Sequence, residues 1–176
     1  MDRKLGFKYF NMETTRTIFS IPSQNDYQEI LKLKTSVQVR KYLGGPASEA
    51  DFKSSFKKII SVNKPEIYWV ARDKNANNLV GLISITEHPN NEHLEVSYEI
   101  NPNFWGKGYA TEVVQRVIKY AFDELKLDKI IAETQKKNKA SIRVLEKLGM
   151  TFESEVKRHK EIQVIYGIQS KLRNKT

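Results

Sequence analysis

Residues Ile100-Asn101-Pro102-Asn103-Phe104-Trp105-Gly106-Lys107-Gly108-Tyr109-Ala110-Thr111-Glu112 join a strand-like run to a strongly amphipathic helix. After Gly108 the apolar residues recur at steps of three and four, which predicts a helix of about four to five turns with one buried face. That face comprises Ala110, Val113, Val114, Val117, Ile118, Ala121, Phe122 and Leu125. The first turn of such a helix presents unpaired N–H groups at the positive end of its dipole, and Gly106 and Gly108 let a ligand approach the backbone closely. The segment therefore predicts an anion-binding loop.

The spacing of these glycines excludes two familiar phosphate loops. A dinucleotide-binding fingerprint needs a third glycine at position 111, where this chain has Thr111. A nucleoside-triphosphate loop needs four residues between its glycines, whereas only Lys107 separates Gly106 from Gly108. A lone Gly-x-Gly before a helix also fits a simple strand-to-helix turn, so this motif alone does not establish a ligand site.

A second patterned block follows this helix. Lys129–Thr134 has the composition of a strand, and residues 138–150 have the pattern of a short helix that begins near Asn138. Gly149 stands where a glycine commonly ends a helix. The apolar stripe predicted for this helix consists of Ala140, Val144, Leu145 and Leu148.

Together the two blocks resemble the GNAT superfamily of acetyl-CoA-dependent N-acetyltransferases. Tyr98, Trp105–Glu112 and the pair Asn138 and Ser141 are similar to the branch typified by the ribosomal-protein N-terminal acetyltransferases RimJ and RimL, and Glu13–Ile18 matches its opening strand. The resemblance covers nearly the whole chain. It implies an α/β fold of the α+β type, in which helices flank a mixed, mostly antiparallel sheet whose central strands splay apart to admit the pantetheine arm.

The rest of the chain also divides into short elements. Strands are predicted at residues 15–21, 67–72, 79–86, 94–100, 152–158 and 162–168. Further helices are predicted at residues 37–43 and after the capping residues Asp26 and Ser48. Because no repeat, low-complexity tract or linker interrupts this pattern, we interpret residues 1–176 as a single domain, with residues 1–11 as an N-terminal extension.

Composition narrows the class of protein. With 176 residues, 39% of them hydrophobic, the chain can bury one substantial core. It has no apolar run long enough to cross a membrane and no apolar secretory core at its N-terminus, which predicts a cytoplasmic protein without a membrane partner. With no cysteine and three scattered histidines, neither a thiol nucleophile nor a metal site is expected.

The positive charge is concentrated in the second half of the chain. Residues 101–176 contain 16 Lys and Arg against 9 Asp and Glu, whereas residues 1–100 contain 14 against 12. Lys136, Lys137, Lys139 and Arg143 surround Asn138, and such a rim would attract the phosphates of coenzyme A. Lysines that only keep the protein soluble explain the charge equally well. Direct RNA binding is disfavoured because aromatic residues do not alternate with the basic ones, although a ribosome-associated substrate would still feel the charge.

The resemblance implies acetyl-CoA as cosubstrate and indicates which residues bind it. Backbone amides in the glycine loop would take the pyrophosphate, and the main chain of Ile100 and Asn101 would pair with the pantetheine amides. Asn138 would contact the pantetheine and Ser141 would lie near its sulfur. Asn138 is equally interpreted as a helix cap, and the two roles are compatible. The loop residues concerned are Trp105, Gly106, Lys107, Gly108, Tyr109, Ala110 and Thr111.

Direct transfer of an acetyl group to an amine needs no covalent enzyme intermediate, but it needs a base. Glu95 and Glu99 share one face of the predicted strand 94–100, so each is a candidate catalytic base and equally a candidate solvated residue. Tyr98, on the opposite face, is interpreted as a packing residue. Glu112 lies in the first turn of the long helix, where its charge favours the helix dipole.

Two positions depart from the superfamily pattern. Leu145 stands where many members have a tyrosine thought to protonate the departing thiolate, so Ser141 becomes the catalytic candidate for that step, with Tyr166 as a second. Asn103 stands where Gln or Arg is usual, which weakens one expected cofactor contact.

The acceptor is the least defined part of the site. At pH 7 an α-amine with a pKa of about 7.7 to 8.0 is roughly a tenth neutral, whereas a lysine with a pKa of about 10.4 is almost entirely charged. This difference favours protein N-termini, those of ribosomal proteins among them, and small amines, amino acids or antibiotics remain alternatives. A non-catalytic module that binds coenzyme A, RNA or the ribosome is the other alternative. Residues 37–65 are predicted to form one wall of the acceptor site, and both a monomer and a homodimer remain open.

Overall fold

The computed structural model describes residues 12–61, 66–90, 92–158 and 160–170. Within these residues the chain forms seven strands and five α-helices. In chain order they are β1 (Thr17–Ser20), α1 (Tyr27–Thr35), α2 (Val37–Arg40), α3 (Glu49–Ile59), β2 (Ile67–Asp73), β3 (Leu79–Glu87), β4 (Leu94–Ile100), α4 (Tyr109–Asp123), β5 (Lys129–Gln135), α5 (Lys139–Lys147), β6 (Thr151–Arg158) and β7 (Glu161–Gln169). Short 3-10 turns at Gln24–Asp26 and Pro102–Phe104 precede α1 and α4.

The strands form one mixed sheet in the order β1-β2-β3-β4-β5-β7-β6. Neighbouring strands are antiparallel except β4 and β5, which are parallel and pair at a single position, Glu95 with Ile131. Beyond that position β4 and β5 diverge toward their C-terminal ends. The predicted mixed sheet with splayed central strands is thereby confirmed, and the splay opens beside the start of α4.

Two hydrophobic clusters cover the two faces of the sheet. On one face, α4 buries Val113 and Val117 against Ile83 and Ile130 of the central strands. On the other, α1 and α3 bury their apolar side chains, Phe52 among them, against β2 and β3. The buried face predicted for α4 is confirmed. Ala110, Phe122 and Leu125 are partly buried against the same cluster, and the fully buried members are Val113, Val114, Val117, Ile118 and Ala121.

Two local predictions need correction. The first helical turn after β1 is capped by Ser23, whose side chain accepts from the N–H of Asn25, while Asp26 makes no capping bond to α1. Asp26 instead accepts from Ser23 and from Arg72 of β2, because an ion pair across to the sheet competes with the cap. In α5 the exposed residue Ala140 is not part of the buried stripe, and Ile142 takes its place beside Leu145 and Leu148. The extension at residues 1–11 lies outside the described residues.

Candidate active site

The glycine loop between β4 and α4 has an open backbone with two glycines in the left-handed conformation. Gly106 and Gly108 have φ values of 72° and 80°, a left-handed conformation that L side chains rarely adopt. A Cβ atom at Gly106 would meet nothing within 4 Å, and one at Gly108 would meet only Nη2 of Arg16 at 3.6 Å. Gly108 is the N-cap of α4 and no side chain caps this helix. The first N–H groups of a 15-residue helix therefore face an open, exposed loop, a donor set that suits a diphosphate.

The residues before the loop hold the end of β4 in place. Asn101 donates its N–H to the carbonyl of Val80 at 2.8 Å and its side-chain amide to the carbonyl of Leu79 at 3.1 Å. The N–H of Asn101 is therefore engaged within the sheet, and the pairing of Asn101 with the pantetheine stays a prediction. The carbonyl of Ile100 accepts a hydrogen bond from the indole of Trp105 at 2.8 Å and keeps a second lone pair. Trp105 is 48% exposed, so its ring forms an open wall of the loop.

Lys107 and Arg16 close the loop from the outside. The ammonium of Lys107 folds back onto the carbonyl of Asn103 at 2.8 Å, so it braces the loop. Arg16, just before β1, pairs with Glu112 of α4 and donates to the carbonyl of Lys107 at 3.0 Å. Glu112 therefore does more than favour the dipole. The contact with Arg16 was not predicted from the sequence, although both residues lie in motifs that carried the family resemblance.

A pair of hydroxyl groups lies where α5 approaches β4. Asn138 caps α5 by accepting the N–H of Ser141 at 3.3 Å and donates to Thr134 of β5 at 3.1 Å, which confirms its capping role. Ser141 in turn places its hydroxyl 2.7 Å from the hydroxyl of Tyr98 on β4. Burial raises the pKa of Tyr98 to about 12, because desolvation outweighs the opposing hydrogen bond with Ser141. The ring of Tyr98 packs against the core, as the sequence analysis predicts. The hydrogen bond of its hydroxyl with Ser141 was not predicted.

The two candidate glutamates differ in their surroundings although they share a face of β4. Glu95 accepts from the N–H of Glu133 at 3.3 Å and from the hydroxyl of Ser97 at 3.1 Å. Burial raises the pKa of Glu95 above its ordinary value, since desolvation outweighs these hydrogen bonds. Glu95 is thus a carboxyl group that holds a proton more readily than an exposed one, as a general base requires.

Glu99 is held by two cations instead. Its Oε1 accepts from the ammonium of Lys34 at 2.6 Å and from the guanidinium of Arg40 at 3.1 Å. Its Oε2 is buried and has no hydrogen-bond partner within the described part of the chain. Arg40 also donates to the carbonyls of Leu43 and Gly45, so the same ion pair anchors the turn after α2. The side chain of Glu99 is therefore a structural anchor whose second oxygen is buried.

A third polar group on this face was missed by the sequence analysis. His88, which is fully buried, contacts Glu133 of β5 through Nε2 at 2.8 Å and Asn90 through Nδ1 at 2.7 Å. Arg158 of β6 donates to the same Glu133 oxygen at 3.2 Å. These residues are scattered along the chain and no spacing rule connects them, so only the sheet order reveals the cluster.

The remaining sequence-predicted groups have partners of their own. Lys136 and Lys137 pair with Glu155 and Glu161 at 2.6 and 2.9 Å, so part of the positive rim beside Asn138 is neutralised. The hydroxyl of Tyr166 donates to Glu146 of α5 at 3.4 Å, not to Ser141. Across the described ranges no group of three or more potential ligands is arranged for a metal ion, and no helix is long and apolar enough to cross a membrane.

Comparisons with known proteins agree with this geometry. A family model described as "Acetyltransferase (GNAT) domain" matches residues 16–151. The uncharacterized N-acetyltransferase YnaD of Bacillus subtilis is 32% identical over 126 residues, which are 71% of this chain and 73% of YnaD. A GNAT-family acetyltransferase from Bacillus anthracis has a crystal structure that superposes with a TM-score of 0.79 at 27% identity, over 90% of this chain and 97% of that one. The spermidine N-acetyltransferase of Vibrio cholerae, crystallised with CoA and spermine, shares the fold with a TM-score of 0.76 at 22% identity, over 87% of this chain and 95% of that one.

Proposed function

This chain belongs to the GNAT acetyltransferase family and is an N-acetyltransferase, and we propose that its acceptor is the α-amine of a peptide or protein N-terminus, such as that of a ribosomal protein. The observation that carries the proposal is the way the carboxylates beside the splay are already paired, Glu99 with Lys34 and Arg40, and Glu133 with Arg158. Carboxylates that internal cations already neutralise would attract a polycation only weakly. A single weakly basic amine can bind without them.

Acetyl-CoA, the cosubstrate of the GNAT fold, supplies the acetyl group as a thioester. In our proposal the first N–H groups of α4, from Gly108 to Thr111, hold its diphosphate. The remaining lone pair of the Ile100 carbonyl and the side-chain amide of Asn138 would contact the pantetheine. The ring of Trp105 would cover the cofactor on the side of the glycine loop. These residues fit the group because the loop is open, uncapped and rich in N–H donors.

The hydroxyl pair supplies a proton at the donor end of the site. With a pKa raised to about 12, the phenol of Tyr98 keeps its proton throughout the physiological pH range. It lies 2.7 Å from Ser141, so a proton lost from Ser141 Oγ to a leaving group can be replaced at once by Tyr98 Oη. Ser141 thereby keeps the role predicted for it, and Tyr98 becomes its partner.

Glu95 supplies the base at the other end. An α-ammonium must lose a proton before its nitrogen can attack, and a carboxylate with a raised pKa accepts that proton directly or through one water. Glu95 pairs with Ile131 at the point where β4 and β5 begin to diverge, so it lies at the base of the splay. Glu99 instead stays a structural anchor, because Lys34 and Arg40 hold its Oε1 and its Oε2 is buried.

The basicity of the acceptor supports the same choice. A single desolvated carboxylate can deprotonate an α-amine, which is about a tenth neutral at pH 7, far more readily than an amine that is almost wholly charged. The proposal places the protein in the cytoplasm, where ribosomal proteins are made. The excess of basic residues in its second half would favour an acceptor bound near RNA.

A second candidate acceptor follows from the relatives. A spermidine N(1)-acetyltransferase of Vibrio cholerae is 28% identical over 108 residues, which are 56% of this chain and 62% of that protein. An extended polyamine would have to displace the internal cations from Glu99 and Glu133, and for this reason we rank it second.

Release of free thiol from acetyl-CoA, measured across a panel of acceptors, tests the proposal. We expect turnover with peptides that have a free N-terminus and none with the same peptides after N-terminal blocking, even where they contain lysine. Spermidine at the same concentration is the comparison. Turnover with spermidine that exceeds the best peptide would overturn the α-amine assignment in favour of the second candidate.

A further inference from the structure

We propose that Arg16 is a positioning residue for acetyl-CoA, one that sets the direction of an N–H group in the glycine loop and neutralises a carboxylate beside it. The proposal rests on the cofactor site proposed above. Arg16 lies just before β1, far along the chain from the loop, and it makes more contacts with the loop and α4 than a surface ion pair would.

Each nitrogen of the guanidinium has a defined partner. Nε and Nη2 contact Oε2 of Glu112 at 2.6 and 2.5 Å, and Nη1 donates to the carbonyl of Lys107 at 3.0 Å. The backbone N–H of Arg16 donates to Oε1 of Glu112 at 3.0 Å. The guanidinium also stacks on the ring of Tyr109, with Cζ 4.0 Å from the ring centroid. One side chain therefore contacts the loop at Lys107 and the first turn of α4 at Tyr109 and Glu112.

The bond to Lys107 determines where a loop amide points. In a trans peptide the N–H is directed opposite to the C=O. The carbonyl of Lys107 faces Arg16, so the N–H of Gly108, which belongs to the same peptide unit, faces the opposite way. Gly108 is the N-cap of α4, and its N–H joins those of the first helical turn as a donor.

The bond to Glu112 removes a repulsion. Partial burial alone would raise the pKa of Glu112, but hydrogen bonds from Thr14 and Arg16 hold it below its ordinary value, so this carboxylate is charged at neutral pH. An unpaired negative charge in the first turn of α4 would oppose binding of a diphosphate. Arg16 neutralises that charge at hydrogen-bond distance while α4 keeps its favourable dipole.

Calorimetric titration with CoA, without an acceptor, measures the effect. We expect Arg16→Gln to raise the Kd by about tenfold, because the Glu112 carboxylate is left unpaired beside the diphosphate and the Lys107–Gly108 peptide is no longer held in place. Arg16→Lys keeps the positive charge but loses the several N–H donors of the guanidinium, so its Kd should lie between those of the wild type and Arg16→Gln. In the double variant Arg16→Gln/Glu112→Gln the repulsion is gone, and the Kd should recover part of the loss. A double variant that binds CoA no better than Arg16→Gln would refute the proposed charge compensation.

Arg72 is a matched control. It lies on the neighbouring strand β2, pairs with two carboxylates, Asp26 and Glu29, and does not contact the loop. Arg72→Gln should lower the melting temperature and leave the Kd for CoA within about twofold. Equal losses of affinity in Arg16→Gln and Arg72→Gln, or a Kd for Arg16→Gln and Arg16→Lys within twofold of the wild type, would show that Arg16 is only structural. If the wild type itself fails to bind CoA, the proposed function fails first, so the two failures are distinct.

Discussion

The hydroxyls of Tyr98 and Ser141 meet at 2.7 Å, and through this contact the middle of β4 is joined to the first turn of α5 across the splay. Tyr98 belongs to the strand before the glycine loop and Ser141 to the helix after β5. The distance between their hydroxyls therefore depends on how β4 and α5 pack together. In the proposed mechanism this contact marks the end of the site at which the leaving thiolate is protonated, and Glu95 lies on the opposite face of β4.

Replacing Tyr98 should slow the chemical step. Tyr98→Phe removes the proton that resupplies Ser141, and we expect kcat to fall by roughly a hundredfold, as for loss of a general acid, with KM for acetyl-CoA nearly unchanged. Because burial raises the pKa of Tyr98 to about 12, its ionisation should produce no alkaline decline in the wild-type rate below pH 10. Tyr166→Phe provides the comparison, and a larger loss in that variant would transfer the role to Tyr166.

Glu95 should control the acid side of the pH profile. Burial raises the pKa of Glu95 above its ordinary value, so kcat/KM should decline as the pH falls through this raised pKa. Glu95→Gln should lower kcat/KM by roughly a hundredfold and abolish that decline. Glu99→Gln should keep it. A wild-type acid limb that persists in Glu95→Gln would assign the base to another group.

The same substitution should stabilise the protein at neutral pH. The folded-state pKa of Glu95 lies above its unfolded value, so the stability that its protonated form contributes is present at low pH and is lost as the pH rises through the folded pKa. Glu95→Gln cannot ionise, so it avoids this loss of stability at neutral pH. We expect its melting temperature to exceed that of the wild type at pH 7 and the difference to shrink toward pH 4, as measured by calorimetry. Lower stability of Glu95→Gln at both pH values would contradict this linkage.

An acidic side chain in the glycine loop should abolish cofactor binding. Gly108→Asp places a carboxylate among the N–H donors and forces a side chain into a left-handed conformation with φ of 80°. The strain alone costs about 1 kcal/mol, so Gly44→Asp is the control, because Gly44 has a φ of 82° and nothing within 4 Å of its Cβ position. We expect CoA to raise the melting temperature of the wild type and of Gly44→Asp and to have no effect on Gly108→Asp. Full stabilisation of Gly108→Asp by CoA would remove the loop from the site.

The parts of the fold that depend on local spacing were predictable. The apolar steps after Gly108 predict the buried face of α4, and β4 has the predicted bounds, Leu94–Ile100. Ser48 and Asn138 cap α3 and α5 as their types and positions indicate. Each of these features is decided by residues within one or two turns of one another, so the sequence alone contains the physical cause.

The features that distinguish one site residue from another were not predictable. Glu95 and Glu99 are equivalent in a strand pattern, and only Lys34 and Arg40, brought in by α1 and α2, separate an anchored carboxylate from a desolvated one. Asp26 makes no capping bond to α1 for a related reason, because its oxygens accept from Ser23, in a capping box, and from Arg72 of β2. Such contacts join residues that are distant in sequence, and no periodicity reports them.

The single point of pairing between β4 and β5 divides the sheet into a four-stranded and a three-stranded part. Main-chain groups that line the divide have no neighbour strand to protect them, so their amide protons should exchange with deuterium faster than those of β3 or β7. A molecule that lies along the divide would bridge both parts and slow that exchange. The weakest seam of this architecture is therefore also the place where binding should have its greatest effect on rigidity.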